Sequence, residues 1–301
     1  MGSSVEDARR RSRLHFDAAE YRESRQAALD GLRVGPDDLE LLVLAGRAGV
    51  ELDADDAVEQ LRRATELAPQ DAVAWHYYGE ALAAEGRTGE ADAAFRRTVE
   101  LDPQDEVALT HLGHTSLAAG RKEEGVGYLA RAADLDPSNR TSLTASVSLV
   151  DMYRSFGEYE KALEQAQRLA AAASDDVLAW LDVAELSLQV GRLDDAGNAF
   201  ARLRDLDDVP GHEAYPLHGL IQVEIRRSQW DRAEELAAQA AAIDEHGLST
   251  DLAAFLAVQR SGPGEEPAPT AAEVDAALAA SLAVYRRAVS EDRHLGGGSV
   301  D

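Results

Sequence analysis

The chain has 301 residues, a formal net charge of −26 and no cysteine. Without cysteine it can form neither a disulfide framework nor a thiolate zinc site, and it has no cysteine nucleophile. The negative charge disfavours nucleic acid and anionic membranes as partners and favours a basic protein surface, although it also simply promotes solubility.

Helix-forming Ala, Leu, Glu and Arg are abundant, and aromatic residues make up only 5% of the chain, so the composition predicts helices. The first predicted pair is degenerate: one helix over Glu6–Phe16, followed by the segment YRESRQAALDGLRVGP. A dense basic run, ARRRSR at residues 8–13, lies in the first of these helices. It could dock on an acidic surface, but we expect it to pair with acidic residues of the same chain.

A proline then recurs every 34 residues, at Pro69, Pro103 and Pro137. Each proline closes a segment on a similar phrase, namely TELAPQD, VELDPQD and ADLDPSN. The three segments are residues 38–71, 72–105 and 106–139. Self-similarity at such a fixed period indicates a repeat architecture, in which each segment is one helix pair.

The spacing of small residues in these segments has a physical reason. Two antiparallel helices cross closely only where the contact residues are small, and Gly79 and Ala91 meet this need in the middle segment. Gly86 provides the permissive backbone where its first helix stops. The small contacts expected in the flanking segments are Ala45, Ala57 and Ala64, and Gly113, Gly125 and Ala132. Because glycine inside a helix costs about 1 kcal/mol relative to alanine, Gly125 predicts a tight crossing.

Beyond Pro137 the pattern continues out of phase and without the closing proline. Further repeats begin near Leu143, Val177 and Ala214, and three-residue insertions near residues 138–142 and 209–213 precede the first and the last of them. Gly157 and Gly191 take the position of Gly86 in two of these repeats. We expect kinks or lengthened turns at the insertions and a looser C-terminal half.

The C-terminal segments follow a different pattern. Residues 261–270 (SGPGEEPAPT) predict a Pro/Gly loop. A last helix over residues 271–293 would cap the array, and residues 294–301 predict a disordered tail.

Taken together, Trp75, Gly79, Ala91, Phe95 and Pro103 resemble the consensus of the tetratricopeptide repeat (TPR) family, and the resemblance covers roughly residues 5–250. It implies an all-α, right-handed superhelical solenoid of antiparallel helix pairs, about seven repeats long, with a C-terminal capping hairpin. The solenoid would span residues 5–260. Its repeats would lie near residues 5–37, 38–71, 72–105, 106–139, 143–176, 177–210 and 214–247.

In this family the first helix of each repeat lines the concave face. The partner-binding groove implied by the resemblance consists of Val73, His76, Glu80, Val107, Thr110, His114, Leu117, Asp151, Arg154, Leu181, Glu185, Tyr215, His218 and Gln222. Members that clamp a chaperone's C-terminal carboxylate use Lys and Asn at the fifth and ninth positions. Here those positions hold His76 and Glu80, then Thr110 and His114, so we expect no such partner.

Catalytic motifs are missing from the sequence: there is no GxxxxGK[ST], GxGxxG, GxSxG or HExxH. His111 and His114, three residues apart, could join His76 and Glu80 in a metal site, but we expect packing histidines. We therefore predict a non-enzymatic protein with no catalytic residues, no cofactor and no metal.

The function implied by the resemblance is a protein–protein interaction adaptor that binds a partner peptide or helix in its groove. The alternatives are a self-assembling structural component of a larger complex and a regulatory subunit of a separate enzyme. No apolar run reaches the roughly 18 residues of a spanning helix, and the N-terminus lacks the apolar segment of a secretory signal. We expect a bacterial, cytoplasmic protein.

Overall fold

A computed structural model describes residues 4–136, 139–206, 214–243 and 271–296, and within these ranges every regular element is a helix. The chain divides into two compact units, unit 1 (Met1–Ala145) and unit 2 (Ser146–Asp301). The helices of unit 1 are α1 (Val5–Asp17), α2 (Tyr21–Leu32), α3 (Leu39–Val50), α4 (Ala57–Leu67), α5 (Ala72–Ala84), α6 (Thr88–Leu101), α7 (Glu106–Ala118) and α8 (Lys122–Leu135). The all-α expectation is confirmed.

Helix α9 (Arg140–Ser155) contains the division between the units. The remaining helices of unit 2 are α10 (Tyr159–Ala172), α11 (Val177–Val190), α12 (Leu193–Leu206), α13 (Tyr215–Arg226), α14 (Trp230–Ala241) and α15 (Ala271–Gly296). The loop predicted at residues 261–270, the insertion near residues 209–213, and Pro137 lie outside the described residues. Of the tail predicted at residues 294–301, residues 294–296 instead belong to α15, and residues 297–301 lie outside the described residues.

Consecutive helices pack as antiparallel pairs, and within each unit successive pairs contact one another. In unit 1 the pairs are α1 with α2, α3 with α4, α5 with α6 and α7 with α8; α1 also contacts α3, and α3 contacts α5. We call α1, α3, α5, α7, α11 and α13 the first helices, because each opens a pair. Helix stops follow the expected glycines: Gly86, Gly157 and Gly191 have φ values of 72°, 71° and 80°, which an L-residue adopts only with strain.

Aspartates cap four of the six first helices, namely α3, α5, α7 and α11. The side chains of Asp38, Asp71, Asp105 and Asp176 each accept a hydrogen bond from a backbone N–H of the helix they precede. Such a cap satisfies donors that the first turn leaves without partners and places negative charge at the positive end of the helix dipole. These aspartates therefore cap and stabilise the helices that follow them.

Small residues allow the close helix crossings, as the repeat pattern predicts. A Cβ atom added to Gly79 would lie 2.8 Å from the Phe95 ring, and one added to Gly113 would lie 2.6 Å from Leu129. In the repeat before them the contact differs from the expectation by one residue. Gly46, rather than Ala45, faces Leu61, since a Cβ on Gly46 would lie 2.4 Å from it. Ala45 instead packs in the cluster that contains Ala8 and Ala28.

The first insertion is accommodated within a helix. Helix α9 begins 34 residues after α7, as an uninterrupted repeat would, but α10 begins 37 residues after α8. The three additional residues therefore lie in α9, which has 16 residues, whereas the first helices have 12 to 14. This differs from the kink or lengthened turn that we expected near residues 138–142. An added helical turn satisfies its own backbone hydrogen bonds, which a longer loop would not.

The turns between repeats are held through one backbone carbonyl. The Pro69 carbonyl accepts hydrogen bonds from the Trp75 indole (3.1 Å) and from Arg97 (3.3 Å). The Ser174 carbonyl accepts the equivalent bonds from the Trp180 indole (3.0 Å) and from an arginine of α12, Arg202 (3.2 Å). Ser174 thus takes the structural place of the proline that the later repeats lack.

Candidate functional site

The basic run at the N-terminus is paired within the chain, as expected. Arg9 lies 2.5 Å from Asp38, at the start of α3. Arg10 and Arg11 pair with Asp7 at 3.0 and 3.3 Å, and Arg13 pairs with Glu40. Because each guanidinium already has a carboxylate partner, this run does not present a free basic patch.

The first-helix face of unit 1 contains Val73, His76 and Glu80 on α5. The side chain of Val73 is 55% exposed, and that of Glu80 is 41% exposed. His76 is mostly buried, with its Nδ1 atom 2.6 Å from Asp105 at the start of α7 and its Nε2 atom 3.4 Å from Glu80. His76 therefore joins two successive repeats rather than projecting toward a partner.

Electrostatics hold His76 in its charged form. Burial lowers the pKa of His76, but the hydrogen bonds and charges of Asp105 and Glu80 outweigh burial and raise the pKa to about 9. In turn, burial raises the pKa of Asp105, and the hydrogen bond from His76 brings it below its usual value. The pair is a charged link between repeats across the neutral pH range.

The remaining predicted residues of unit 1 divide between surface and interior. His114 is exposed and Thr110 half-buried. Val107 packs against the hydrophobic cluster around Phe95. Leu117 fills the crossing with α8, because a Cβ on Gly125 would lie 2.6 Å from it. Leu117 therefore serves the helix pair, and Gly125 marks the tight crossing that the sequence predicts.

An arginine sandwich on the same face was not predicted. The guanidinium of Arg47 on α3 lies 4.2 Å from the ring centre of Phe16 on α1 and 4.1 Å from that of Tyr77 on α5. Such cation–π contacts are worth about 0.5–2 kcal/mol each. With Val50, Glu51 and Glu80, these residues line a pocket of about 80 Å³. No sequence motif marks the sandwich, because its members come from three separate repeats.

The histidines do not gather into a metal site. His111 faces Asp92 at 3.2 Å and packs against the Phe95 ring, whereas His76 turns toward Asp105. Burial lowers the pKa of His111, and the nearby Asp92 only partly offsets this. Among the described residues, no three His, Cys, Asp or Glu side chains lie close enough together to hold a metal ion.

In unit 2, helix α15 covers the predicted groove residues. It packs on the first helices α11 and α13, where we expected a helix that caps the end of the array. Leu181, His218 and Gln222 are 0%, 1% and 5% exposed. His218 Nδ1 lies 2.8 Å from the Ser281 hydroxyl of α15, and the Tyr215 ring lies 5.5 Å from the Tyr285 ring.

A cluster of charges joins α9, α11 and α15 beside this contact. Arg286 of α15 lies 2.7 Å from Asp182 and 2.8 Å from Glu185, both on α11. Arg154 of α9 pairs with the same two carboxylates at 3.0 and 3.3 Å. Asp151, a further predicted groove residue, is close enough for Asp182 to act on it: burial and the Asp182 carboxylate together raise its pKa.

Helix α15 leaves part of this surface open. A pocket of about 400 Å³ lies beside it, lined by Arg154, Glu185, Leu188, Gln189, Gln222, Arg226, Ala279, Leu282, Ala283 and Arg286. In the described part of the chain, no helix combines the length and the hydropathy needed to cross a membrane.

Two family models match the chain. The middle TPR-like domain of cilia and flagella-associated protein 70 matches residues 41–170, and a tetratricopeptide repeat model matches residues 148–210. The two matches together cover every repeat from α3 to α12. No curated protein matches the chain.

Solved structures share the fold at low sequence identity. The C-terminal part of a TPR repeat-containing protein from Cytophaga hutchinsonii superposes with a TM-score of 0.57 at 15% identity, covering 85% of this chain and 96% of the other. Pseudomonas aeruginosa pilF gives 0.55 at 16% identity, covering 67% and 91%. A tetratricopeptide repeat protein from Parabacteroides merdae gives 0.51 at 12% identity, covering 83% and 97%.

The family matches, the stacked helix pairs and the small residues at their crossings all agree. Repeat arrays of this kind present extended surfaces on which other proteins bind. The chain is a member of the tetratricopeptide repeat family.

Proposed function

We propose that the chain is a non-catalytic adaptor that binds a partner protein on the first-helix face of unit 1. The observation that carries the proposal is the exposed apolar side chain of Val73, which lies two helical turns from the carboxylate of Glu80 on the same side of α5. An apolar anchor next to fixed polar groups is the usual composition of a protein-binding surface.

The charge of this face indicates the chemistry of the partner. Glu80 and Glu51 line the small pocket beside the Arg47 sandwich, and the whole chain carries a net charge of −26. A partner segment with an apolar residue for Val73 and a basic residue for Glu80 would complement both features. In this proposal the chain works in the cytoplasm without a cofactor or metal, and nucleic acid and chaperone-tail carboxylates are not its ligands.

Affinity purification with a matched pair of variants tests this function. Val73→Lys removes the apolar anchor and adds a charge that repels a basic partner. Leu67→Lys is the control, because Leu67 is similarly exposed at 46% but lies at the end of α4, a second helix. We expect Val73→Lys to reduce recovery of the partner by about fivefold or more, the loss of one interface hot spot, and Leu67→Lys to leave it unchanged. Equal recovery of every bound protein by both variants and the unmodified chain would refute the proposed surface.

A further inference from the structure

Helix α15 makes a contact of a different kind from the other helices. Along unit 1, each first helix packs on the second helix of its own pair, and α3, α5 and α7 also pack on the helix that precedes them. Contacts between first helices join α1 to α3 and α3 to α5. Helix α15 instead packs on both α11 and α13, so it lies across the first helices of two successive repeats. A helix that only extended the array would contact the last repeat alone. In unit 2, α15 therefore occupies the face on which this fold binds other chains.

The apolar side of α15 resembles the face of a bound amphipathic helix. Leu282, Tyr285 and Val289 are 5%, 0% and 5% exposed, and their spacing places all three on one side of the helix. Val284, on the other side, remains 48% exposed. Ser281, next to the buried side chains, adds the hydrogen bond to His218. Three apolar anchors and one polar contact are the elements by which a groove recognises a helix.

Arg286 completes the charge balance of the surface beneath α15. With it in place, two guanidinium groups (Arg286 and Arg154) face the carboxylates of Asp182 and Glu185. Without it, Arg154 alone would face these two carboxylates and the nearby Asp151. While α15 is packed on α11, Asp182 is only 6% exposed, so removing the Arg286 charge from the packed helix leaves a carboxylate that water cannot solvate at little cost.

We propose that α15 is an internal ligand of the α11–α13 face, and that this face takes from another protein a helix of the same chemistry. The recognised pattern is an arginine with apolar residues four before, one before and three after it. These are the positions of Leu282, Tyr285 and Val289 relative to Arg286. This inference concerns a different set of helices from the proposed docking surface of unit 1 and stands or falls independently of it.

Helix α15 competes with an external helix for the α11–α13 face, so the partner binds only when α15 has left it. Helix α15 is joined to its site by residues 244–270 of the same chain, and a tethered ligand acts at an effective concentration on the order of millimolar. An external helix therefore binds only the fraction of molecules from which α15 has left, and its apparent affinity falls by that fraction. A partner must match the pattern well, or α15 must be weakened, before the face becomes available.

A labelled peptide and two variants of the full chain test this proposal. The probe is a fluorescent peptide of residues 271–296, measured by anisotropy. Arg286→Ala in the full chain weakens the internal ligand, whereas Arg287→Ala removes the same charge from an exposed neighbour on the same helix. We expect the peptide to bind the Arg286→Ala chain about tenfold or more tightly than the unmodified chain, and the Arg287→Ala chain as weakly as the unmodified one.

Two further measurements test whether the Arg286 charge, and not unfolding, accounts for the change in peptide binding. A peptide that itself carries Arg286→Ala should lose binding to the Arg286→Ala chain, because it no longer supplies the cation, and far-UV circular dichroism should show that both variants keep their helices. If Arg286→Ala unfolds the chain, Leu282→Ala replaces it as the loosened form. Equal peptide binding by all chains, or no binding to the loosened chain, overturns the proposal. A dimer of the unmodified chain that the peptide dissociates would assign the face to α15 of a second copy and overturn the proposed occupant.

Discussion

Two glycines of α8 provide a controlled test of the close helix crossing. Gly125 and Gly127 lie two residues apart in one helix, so alanine brings the same gain in helix propensity, roughly 0.5–1 kcal/mol, at either position. Their surroundings differ. A Cβ on Gly125 would lie 2.6 Å from Leu117 Cγ and 2.9 Å from the Gly113 carbonyl oxygen, whereas a Cβ on Gly127 would meet nothing within 4 Å.

The magnitude follows from which atoms can move. The Leu117 side chain can rotate away, but the Gly113 carbonyl belongs to the backbone of α7 and moves only if the two helices separate. Overpacking of this kind typically costs about 1–3 kcal/mol. We therefore expect Gly127→Ala to stabilise the chain by roughly 0.5–1 kcal/mol and Gly125→Ala to be about 1–3 kcal/mol less stable than Gly127→Ala.

Urea denaturation followed by far-UV circular dichroism measures this difference. The comparison uses the midpoints of the two variants, because a repeat array need not unfold in one cooperative step and its absolute free energy of unfolding is then poorly defined. If Gly125→Ala proved as stabilising as Gly127→Ala, the crossing would be loose and the steric reason for glycine in the repeat would be refuted.

Two other predictions concern links between repeats. The pKa of His76 is higher in the folded chain (about 9) than the usual 6.5 of a histidine, so its pairing with Asp105 and Glu80 stabilises fully below pH 6.5 and is lost as pH rises through 9. The urea midpoint of the unmodified chain should exceed that of His76→Gln by an amount that shrinks as pH rises from 6.5 to 9, and at pH 6.5 this difference corresponds to at most about 3 kcal/mol of stability. A difference that stays constant with pH would contradict the link. Ser174→Pro should stabilise by about 0.4–1 kcal/mol, because Ala173 (φ −121°, ψ 75°) already has the conformation of Ala68 (φ −131°, ψ 72°), which precedes a proline. A lower thermal midpoint for this variant would show that the two turns are not equivalent.

Local chemistry explains why the helix pairs could be predicted from the sequence. Helix ends need glycine at positive φ, close crossings need small residues, and helix starts favour aspartate. Each feature is therefore visible in the local sequence, as Gly86, Gly79 and Asp105 show. The crossing is predicted at Ala45 but lies at Gly46, and the sequence does not distinguish the two positions because both residues are small. Only the direction of the helix face decides which one meets Leu61.

The position of α15 could not be predicted in the same way. The sequence indicates a helix at residues 271–293, but its amphipathic side fits the end of an array as well as a groove. The groove position is favoured by Arg286, which pairs with Asp182 and Glu185, about a hundred residues earlier in the chain. The local sequence gives no sign of this long-range pairing. Likewise, the insertion in α9 leaves no local sign, because helix-forming residues can extend a helix or a turn with equal ease.

At Ser174 the hydrogen bonds that hold the turn depend on the backbone carbonyl and not on the identity of the side chain. Because Trp180 and Arg202 bind the backbone oxygen, the side chain at this turn has no part in the link and can be exchanged. In a chain that contains no cysteine, Ser174→Cys would create a single thiol in this turn while both hydrogen bonds remain. A fluorophore attached there would sit just before α11 and could report, in real time, when α15 leaves that helix.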